Sequence, residues 1–202
     1  LLWRLDPRRT VVTVHDLIPL LRWQGRIPGV ARGRFPLLNA LSVRQLRRAA
    51  ALIAPSDSTA RDLVTMLGCD RSRIHVVPNG ISSVFQPASQ PKAVLRSRLG
   101  LPPPPTRLLL ASGQAFYKNL DTTLRVLRRL QDAQGDPVML VKTGHANAAW
   151  ESAVRSAGVE GRVITTGLVP ASQIPTLYQA CDCLLFPSHY EGFGFPVLEA
   201  MA

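Results

Sequence analysis

The sequence predicts an α/β fold made of two parallel-sheet units. Three observations carry that prediction. Short β-branched or leucine-rich runs alternate with helical patterns along all 202 residues. Six of the seventeen prolines fall between residues 86 and 106, which marks a junction. The chain is 46% hydrophobic and 18% charged, a balance that supports packed cores and excludes disorder. Alternation of this kind lays strands in parallel and covers both sheet faces with helices.

The first unit is placed at residues 1–86, the Pro-rich linker at 87–106, and the second unit at 107–202. TVVTVH (10–15) is a buried strand running into a loop at His15-Asp16. Residues 35–50 carry apolar side chains at helical spacing with arginines on the other face. ALIA (51–54) is a strand. Pro55-Ser56-Asp57-Ser58 then opens a helix that runs to about Leu67, before Gly68. RIHVV (73–77) is a strand that ends at the turn Pro78-Asn79-Gly80.

Past a short helix at 92–99, RLLLA (107–111) restarts the strand pattern, and SGQAFYKN leads into a helix over 120–134. VMLVKTG (138–144), RVITTG (162–167) and CDCLLFPS (181–188) are further strands, separated by helices at 148–157 and 171–180. A last helix opens at Pro196, in the first-turn position that proline favours.

Charge and cysteine content narrow the classes. The net charge is +11, and it is uneven: residues 1–50 hold ten Lys/Arg against two Asp, residues 151–202 two Arg against five acids. Arg32, Arg34, Arg44, Arg47 and Arg48 make a basic helix. It is either a solvated face or a contact for an anionic membrane surface or a lipid phosphate. Nucleic acid is not expected as a partner, because aromatic residues are only 6% and do not interleave with the charges. Cys69, Cys181 and Cys183 lack paired CxxC spacing, so they read as small buried hydrophobes rather than a disulfide or zinc set. No apolar run approaches the roughly 18 residues that cross a bilayer. The N-terminus has no Met and no long apolar core, so the chain is expected to be an internal piece of a longer protein, cytoplasmic, with peripheral contact at the inner membrane face.

Ligands in open α/β sheets bind beyond the carboxyl ends of strands. The unusual residues cluster in those loops. Glu191 follows a buried strand, Gly192 and Gly194 permit close backbone approach, and Pro196 opens a helix with Glu199 one turn in. A helix N-terminus offers unpaired N–H groups and a positive dipole end, which suit a diphosphate. Glu199 has the reach to accept from both hydroxyls of a ribose, and Glu191 to address the sugar beyond the diphosphate. Taken alone, two carboxylates eight apart say little. Lys118, between a strand and a helix, is placed to neutralise a phosphate. His15 ends a strand, where its imidazole can meet a sugar or an acceptor. Asp16 reads as a loop cap, Asn119 as the cap of the next helix, and His75 as structural. His145 is a weaker candidate for the base or sugar pocket, and Leu168-Val169 for the border of the base.

EGFGFPVLEAMA resembles the Glu-x7-Glu signature of glycosyltransferase family 4, enzymes of the GT-B fold. HDLIPL, APSDSTARDL, VVPNGI and YKNLDTTL resemble that family's other segments, in the same order. The resemblance implies two Rossmann-like domains facing a cleft, both incomplete here: 1–86 on the acceptor side, 107–202 on the donor side. It implies retaining transfer of a sugar from a nucleotide-sugar, such as UDP-glucose or GDP-mannose, to a saccharide or lipid-linked acceptor in cell-envelope glycan or polysaccharide synthesis. Glu191, His15 and Lys118 would be catalytic. Glu199, Lys118, Gly113, Gly192, Phe193, Gly194, Phe195, Leu168 and Val169 would hold the donor. No cofactor and no metal is expected, since the chain has no DxD-like acidic pair in a suitable loop, and Lys118 and the Pro196 helix would carry the leaving-group charge. No second carboxylate is placed as a nucleophile, so a front-side mechanism is expected.

Two departures stand out: Gln114 follows Gly113 where family members often carry Arg, and Ile81-Ser82-Ser83 stands where Asp is common. A GT-B phosphorylase or epimerase, and a non-catalytic basic binding module, remain open alternatives.

Overall fold

A computed structural model describes residues 6–33, 37–131 and 135–202. Arg34 and the predicted helix ends at 35–36 and 132–134 lie outside the described residues. The chain divides into two compact units. The first runs to Gly80 and takes in His189–Gly194; the second holds Ile81–Ser188 and Phe195–Ala202.

The first unit is a parallel sheet in the order β1 (Val11–Thr13), β2 (Ala51–Ala54), β3 (Ile74–Val76). Val12 pairs with Leu52 and Leu52 with Ile74, so the apolar residues share one face. That face packs on Ala60, Leu63 and Leu67 of α3 (Asp57–Leu67), with Val43 and Leu46 of α2 (Leu37–Leu46) beside them. Helix α3 forms for local reasons. Ser56 caps it by accepting from Thr59 N, Asp57 complements the dipole, and Gly68 ends it at φ +62. His75 sits on the other face of β3 and is exposed.

One helix was not foreseen. α1 (Ile18–Trp23) follows the expected His15-Asp16 loop, in a stretch for which the sequence predicts no element. Its signals are short: Asp16 Oδ1 accepts from Ile18 N at 2.9 Å, and Pro19 lies in the first turn. Asp16 thus caps the loop, as expected, while the N-cap position of α1 itself falls on Leu17.

The second unit is a parallel sheet in the order β6-β5-β4-β7, with β4 (Arg107–Ala111), β5 (Val138–Lys142), β6 (Val163–Thr165) and β7 (Cys183–Leu184). Strand alternation sorts its core into two faces. Leu108, Leu110 and Val141 pack on α4 (Lys92–Arg98) and α7 (Ile174–Ala180). Ala111 and Leu140 pack on α5 (Leu120–Gln131) and α6 (Ala148–Ala157). α8 (Phe195–Met201) closes the series.

β7 is far shorter than the predicted 181–188. Its neighbour β4 ends at Ala111, and after Leu185 N donates to Leu110 O at 2.8 Å the chain has run past its pairing strand. The helix expected over 171–180 opens instead with a 3-10 turn (Ala171–Gln173), and α7 begins at Ile174 with Pro175 in its first turn.

Residues 87–106 belong to the second unit. Leu95 and Leu101 enter its core. Arg96, only 1% exposed, donates to Ala180 O (2.9 Å), Thr106 O (2.7 Å) and Asp182 Oδ2 (2.6 Å). Asp182 also takes Leu108 N (2.8 Å) and Lys92 Nζ (2.7 Å). Burial works against the Asp182 carboxylate. The Lys92 and Leu108 donors and the Arg96 charge outweigh it and hold its pKa below the usual value.

Among the described residues no helix is long and apolar enough to cross a membrane. Of the basic stretch, Arg44, Arg47 and Arg48 are exposed, and the Arg47 guanidinium is engaged by Leu67 O at the end of α3. Cys69 and Cys181 are buried, and Cys183 is exposed. Burial pushes the Cys181 thiol up to about 12 and raises Cys69 as well.

Candidate functional site

In the first unit the structure brings together residues from opposite ends of the sequence. His15 follows β1, exposed, just after Val14 N extends the ladder to Ile53 O at 2.8 Å. Gly192 lies directly against it. A Cβ on Gly192 would overlap the His15 carbonyl oxygen and reach Asp16 Cβ at 3.0 Å. The close approach that the glycine permits is therefore to the chain's own His15 loop.

Three side chains of the α3 region hold the same loop. Ser56 Oγ donates to Gly192 O at 2.6 Å, and Thr59 Oγ1 at 3.2 Å. Tyr190 OH donates to Asp62 Oδ2 at 2.6 Å. Burial, and then the Asp62 carboxylate, push the Tyr190 phenol well above its ordinary value, so it stays a donor. Half-buried Glu191 lies between these two anchored neighbours.

In the second unit the candidates line the carboxyl ends of the strands. The chain runs β4, β5, β6 in one direction and then returns to place β7 on the other side of β4. The switch point, where such folds bind ligands, falls between β4 and β7. Residues from its two sides touch. Lys118 Nζ stands 4.6 Å from the Phe186 ring centroid and 5.3 Å from that of Tyr117. Asn119 Nδ2 donates to Pro187 O at 3.0 Å. Asn119 has φ 52, and its carbonyl accepts from Thr122 N at 3.1 Å. It opens α5 from the left-handed region rather than from the extended backbone of an ordinary N-cap.

Gly113, at φ +82, donates to Thr143 Oγ1 at 2.9 Å, and a Cβ there would stand 3.3 Å from Lys118 Cε. The glycine thus lets the Lys118 stem lie against the loop. Gln114 packs at Gly144, with Oε1 3.2 Å from where a Cβ would be. His145 is exposed, and its carbonyl accepts from the buried Lys142 at 3.0 Å. Burial lowers the Lys142 pKa.

Glu199 lies in a cavity of about 270 Å³ whose wall includes Leu110, Ser112, Thr143, Tyr178, Phe195 and Pro196. Tyr178 OH donates to Glu199 Oε2 at 2.7 Å. Burial, and then Glu199, raise the Tyr178 phenol far above its usual value, so it remains protonated at any working pH. Phe195 is 42% exposed and Leu168 77%, while Val169 packs against the core. Phe193 is half-buried, and Gly194 takes φ +96 at the entry to α8. Lys118, Leu168 and Val169 lie outside the wall of the Glu199 cavity. Among the described residues no group of three His, Cys, Asp or Glu is arranged to hold a metal.

Sequence reasoning missed two sets of partners. Tyr178 lies inside a helix with no motif around it. Thr59 and Asp62 sit within APSDSTARDL and Tyr190 directly before EGFGFPVLEAMA, but none carries a local sign that they pair.

The two parallel α/β units, the second with its switch point between β4 and β7 and Glu199 on the helix that follows, place the chain among α/β proteins that bind ligands at the carboxyl ends of their strands. The family model for glycosyl transferases group 1 matches residues 95–202, and that for glycosyltransferase family 4 matches residues 1–84. The chain belongs to the group 1 glycosyl transferases and has the GT-B type of fold.

A D-inositol 3-phosphate glycosyltransferase of Xylanimonas cellulosilytica is 33% identical over 99% of this chain and 50% of its own length. A 2-deoxystreptamine glucosyltransferase of Streptomyces kanamyceticus is 33% identical over 85% of this chain and 45% of its own length. Anabaena HepE, solved with UDP and glucose, superposes with a TM-score of 0.72 at 21% identity, over 96% of this chain and 50% of that one. The chain spans about half the length of the curated relatives it matches.

Proposed function

We propose that this chain carries the working residues of a retaining, metal-independent glycosyltransferase that moves a sugar from a nucleotide-sugar to a saccharide or lipid-linked hydroxyl. The observation that carries the reading is Glu199, pinned through one carboxylate oxygen by Tyr178 inside the cavity beyond β4 and β5. A carboxylate fixed in this way presents its second oxygen to a ribose hydroxyl. The cavity, at about 270 Å³, lies just below the roughly 300–1,000 Å³ of sites for whole drug-sized ligands. It has room for part of a nucleotide-sugar, with the diphosphate outside it.

Lys118 supplies the charge for that diphosphate. Its ammonium lies over an aromatic ring beside the switch point, in partial shelter from water, where it offsets negative charge more strongly than in bulk. As the bond from the anomeric carbon to the leaving phosphate breaks, the charge grows on the phosphate and Lys118 stabilises it. His15 and Glu191 belong to the first unit and would orient the sugar and the acceptor hydroxyl. The acceptor proton passes to the leaving diphosphate, consistent with a front-side, retaining course. UDP bound in HepE, and the sugar transfer named for both relatives, support the donor class. Contact of the basic stretch with an anionic membrane surface belongs to this proposal, supported by exposed Arg44 and Arg48.

Thermal shift with UDP, GDP and ADP, followed by nucleoside diphosphate release from UDP-glucose and GDP-mannose, tests the reading. Stabilisation by one diphosphate that Glu199→Ala abolishes is the expected result. Sugar phosphate release with no nucleotide requirement would instead establish a phosphorylase. Binding that Glu199→Ala leaves intact and that fades steeply with salt would establish a basic binding module.

A further inference from the structure

We propose that α3 is a positioning helix for sugar transfer: its Ser56, Thr59 and Asp62 hold the His189–Gly194 loop against the His15 backbone, and so fix Glu191 for the reaction. The inference rests on the role given to Glu191 under the proposed function.

Ser56, Thr59 and Asp62 are spaced by three, so they follow one side of the helix. Ala60 and Leu63, each four residues beyond Ser56 and Thr59, lie on the adjoining row and with Leu67 pack the sheet. The helix therefore does two jobs on neighbouring rows, and buried Thr59 lies where they meet. Ser56 and Thr59 both donate to Gly192 O, and Asp62 accepts from Tyr190 OH. The residues held are 190 and 192, the two neighbours of Glu191. Tying both neighbours restricts the backbone on either side of the carboxylate, and the cost of ordering it is met in folding rather than in the transition state.

The anchors are well placed for this. Thr59 is fully buried, so its hydroxyl needs a partner, and the loop carbonyl is one. Tyr190 stays protonated, so its bond to Asp62 persists across the working pH range. Gly192 completes the arrangement, because only glycine can pass the His15 carbonyl. Ser56, Thr59, Asp62 and Tyr190 are positioning residues and have no assigned contact with substrate.

The test compares Tyr190→Phe, Asp62→Ala, the double variant and Glu191→Ala in the native protein. Two readouts are taken: nucleoside diphosphate release from UDP-glucose and GDP-mannose, and amide hydrogen exchange over residues 189–194. Tyr190→Phe and Asp62→Ala are each expected to speed loop exchange and to lower kcat about tenfold. Exchange at Leu63–Leu67 and affinity for the nucleoside diphosphate should stay within twofold. The double variant should do no worse than the poorer single one, because both remove the same contact. Loop exchange at the parent rate in Tyr190→Phe and Asp62→Ala would overturn the clamp. Faster loop exchange with unchanged kcat would overturn its part in transfer, provided Glu191→Ala abolishes turnover. If Glu191→Ala itself keeps parental turnover, the role of Glu191 falls, and with it this proposal's link to catalysis. The exchange data then still decide whether α3 holds the loop.

Discussion

The two glutamates of the signature are held in opposite ways. In the first unit Glu191 is fixed through its neighbours: α3 and the His15 loop grip residues 190 and 192. In the second unit Glu199 is fixed through its own carboxylate, by Tyr178. Each arrangement uses a half-buried tyrosine phenol, but one orders a backbone and the other orients a charge. Under the proposed function, a tied loop would set where Glu191 stands relative to the sugar, while the Tyr178 bond would set how the Glu199 carboxylate faces a ribose. The second unit also has an ion pair at the amino ends of its strands, Arg96 with Asp182, which ties α4 to the entry of β4 and β7.

The largest effect expected is on that ion pair. Asp182→Ala leaves the guanidinium of Arg96, 1% exposed, without its carboxylate, and should cost about 3–5 kcal/mol in urea unfolding. A loss under about 1 kcal/mol would mean that water or the Ala180 and Thr106 carbonyls suffice. The same pair gives a pH dependence. Because the folded pKa of Asp182 is depressed, its stabilisation is complete above about pH 4, near the unfolded value, and disappears as pH falls through the folded one. Asp182→Asn should flatten the acid limb of a Tm-against-pH curve.

Next comes Gly192→Ala, which strikes the first unit's glutamate alone. The added methyl meets the backbone of His15, so the loop must move. Turnover should fall about 100-fold, the scale of a misplaced catalytic group, while thermal shift by the nucleoside diphosphate survives. Equal loss of both would erase the contrast between the two glutamates.

Tyr178→Phe should act on the second glutamate with a smaller effect. It removes one hydrogen bond to a charged group, worth about 1.5–3 kcal/mol, so affinity for the nucleoside diphosphate should drop about tenfold or more with kcat little changed. A kcat effect without an affinity effect would place Glu199 in the chemistry rather than in ribose binding. The smallest expected effect is chemical. Iodoacetamide should label exposed Cys183 in the folded protein, while Cys69 and Cys181, buried with raised pKa values, react only on unfolding.

Much of this was legible in the sequence. Strands such as ALIA and RLLLA, and the helix that Ser56 caps and Gly68 ends, are written in residues a few positions apart. Local periodicity, caps and prolines govern them. The glycines at 192 and 194 were readable as close-approach positions, but not what they approach. α1 was missed because six residues around a proline give too short a period to recognise. β7 was overestimated because apolar character continues past the point where its neighbour ends.

By itself the sequence determined the order of elements, the family, and the identity of His15, Lys118, Glu191 and Glu199 as candidates, because each is marked by its nearest neighbours along the chain. Only the tertiary structure decided what holds them. Ser56 meets Gly192 across 136 positions and Tyr190 meets Asp62 across 128. Tyr178 reaches Glu199 across 21, from one helix to another. Such pairs form because sheet packing brings distant loops to the same edge, and a buried hydroxyl or carboxylate must then find a partner there.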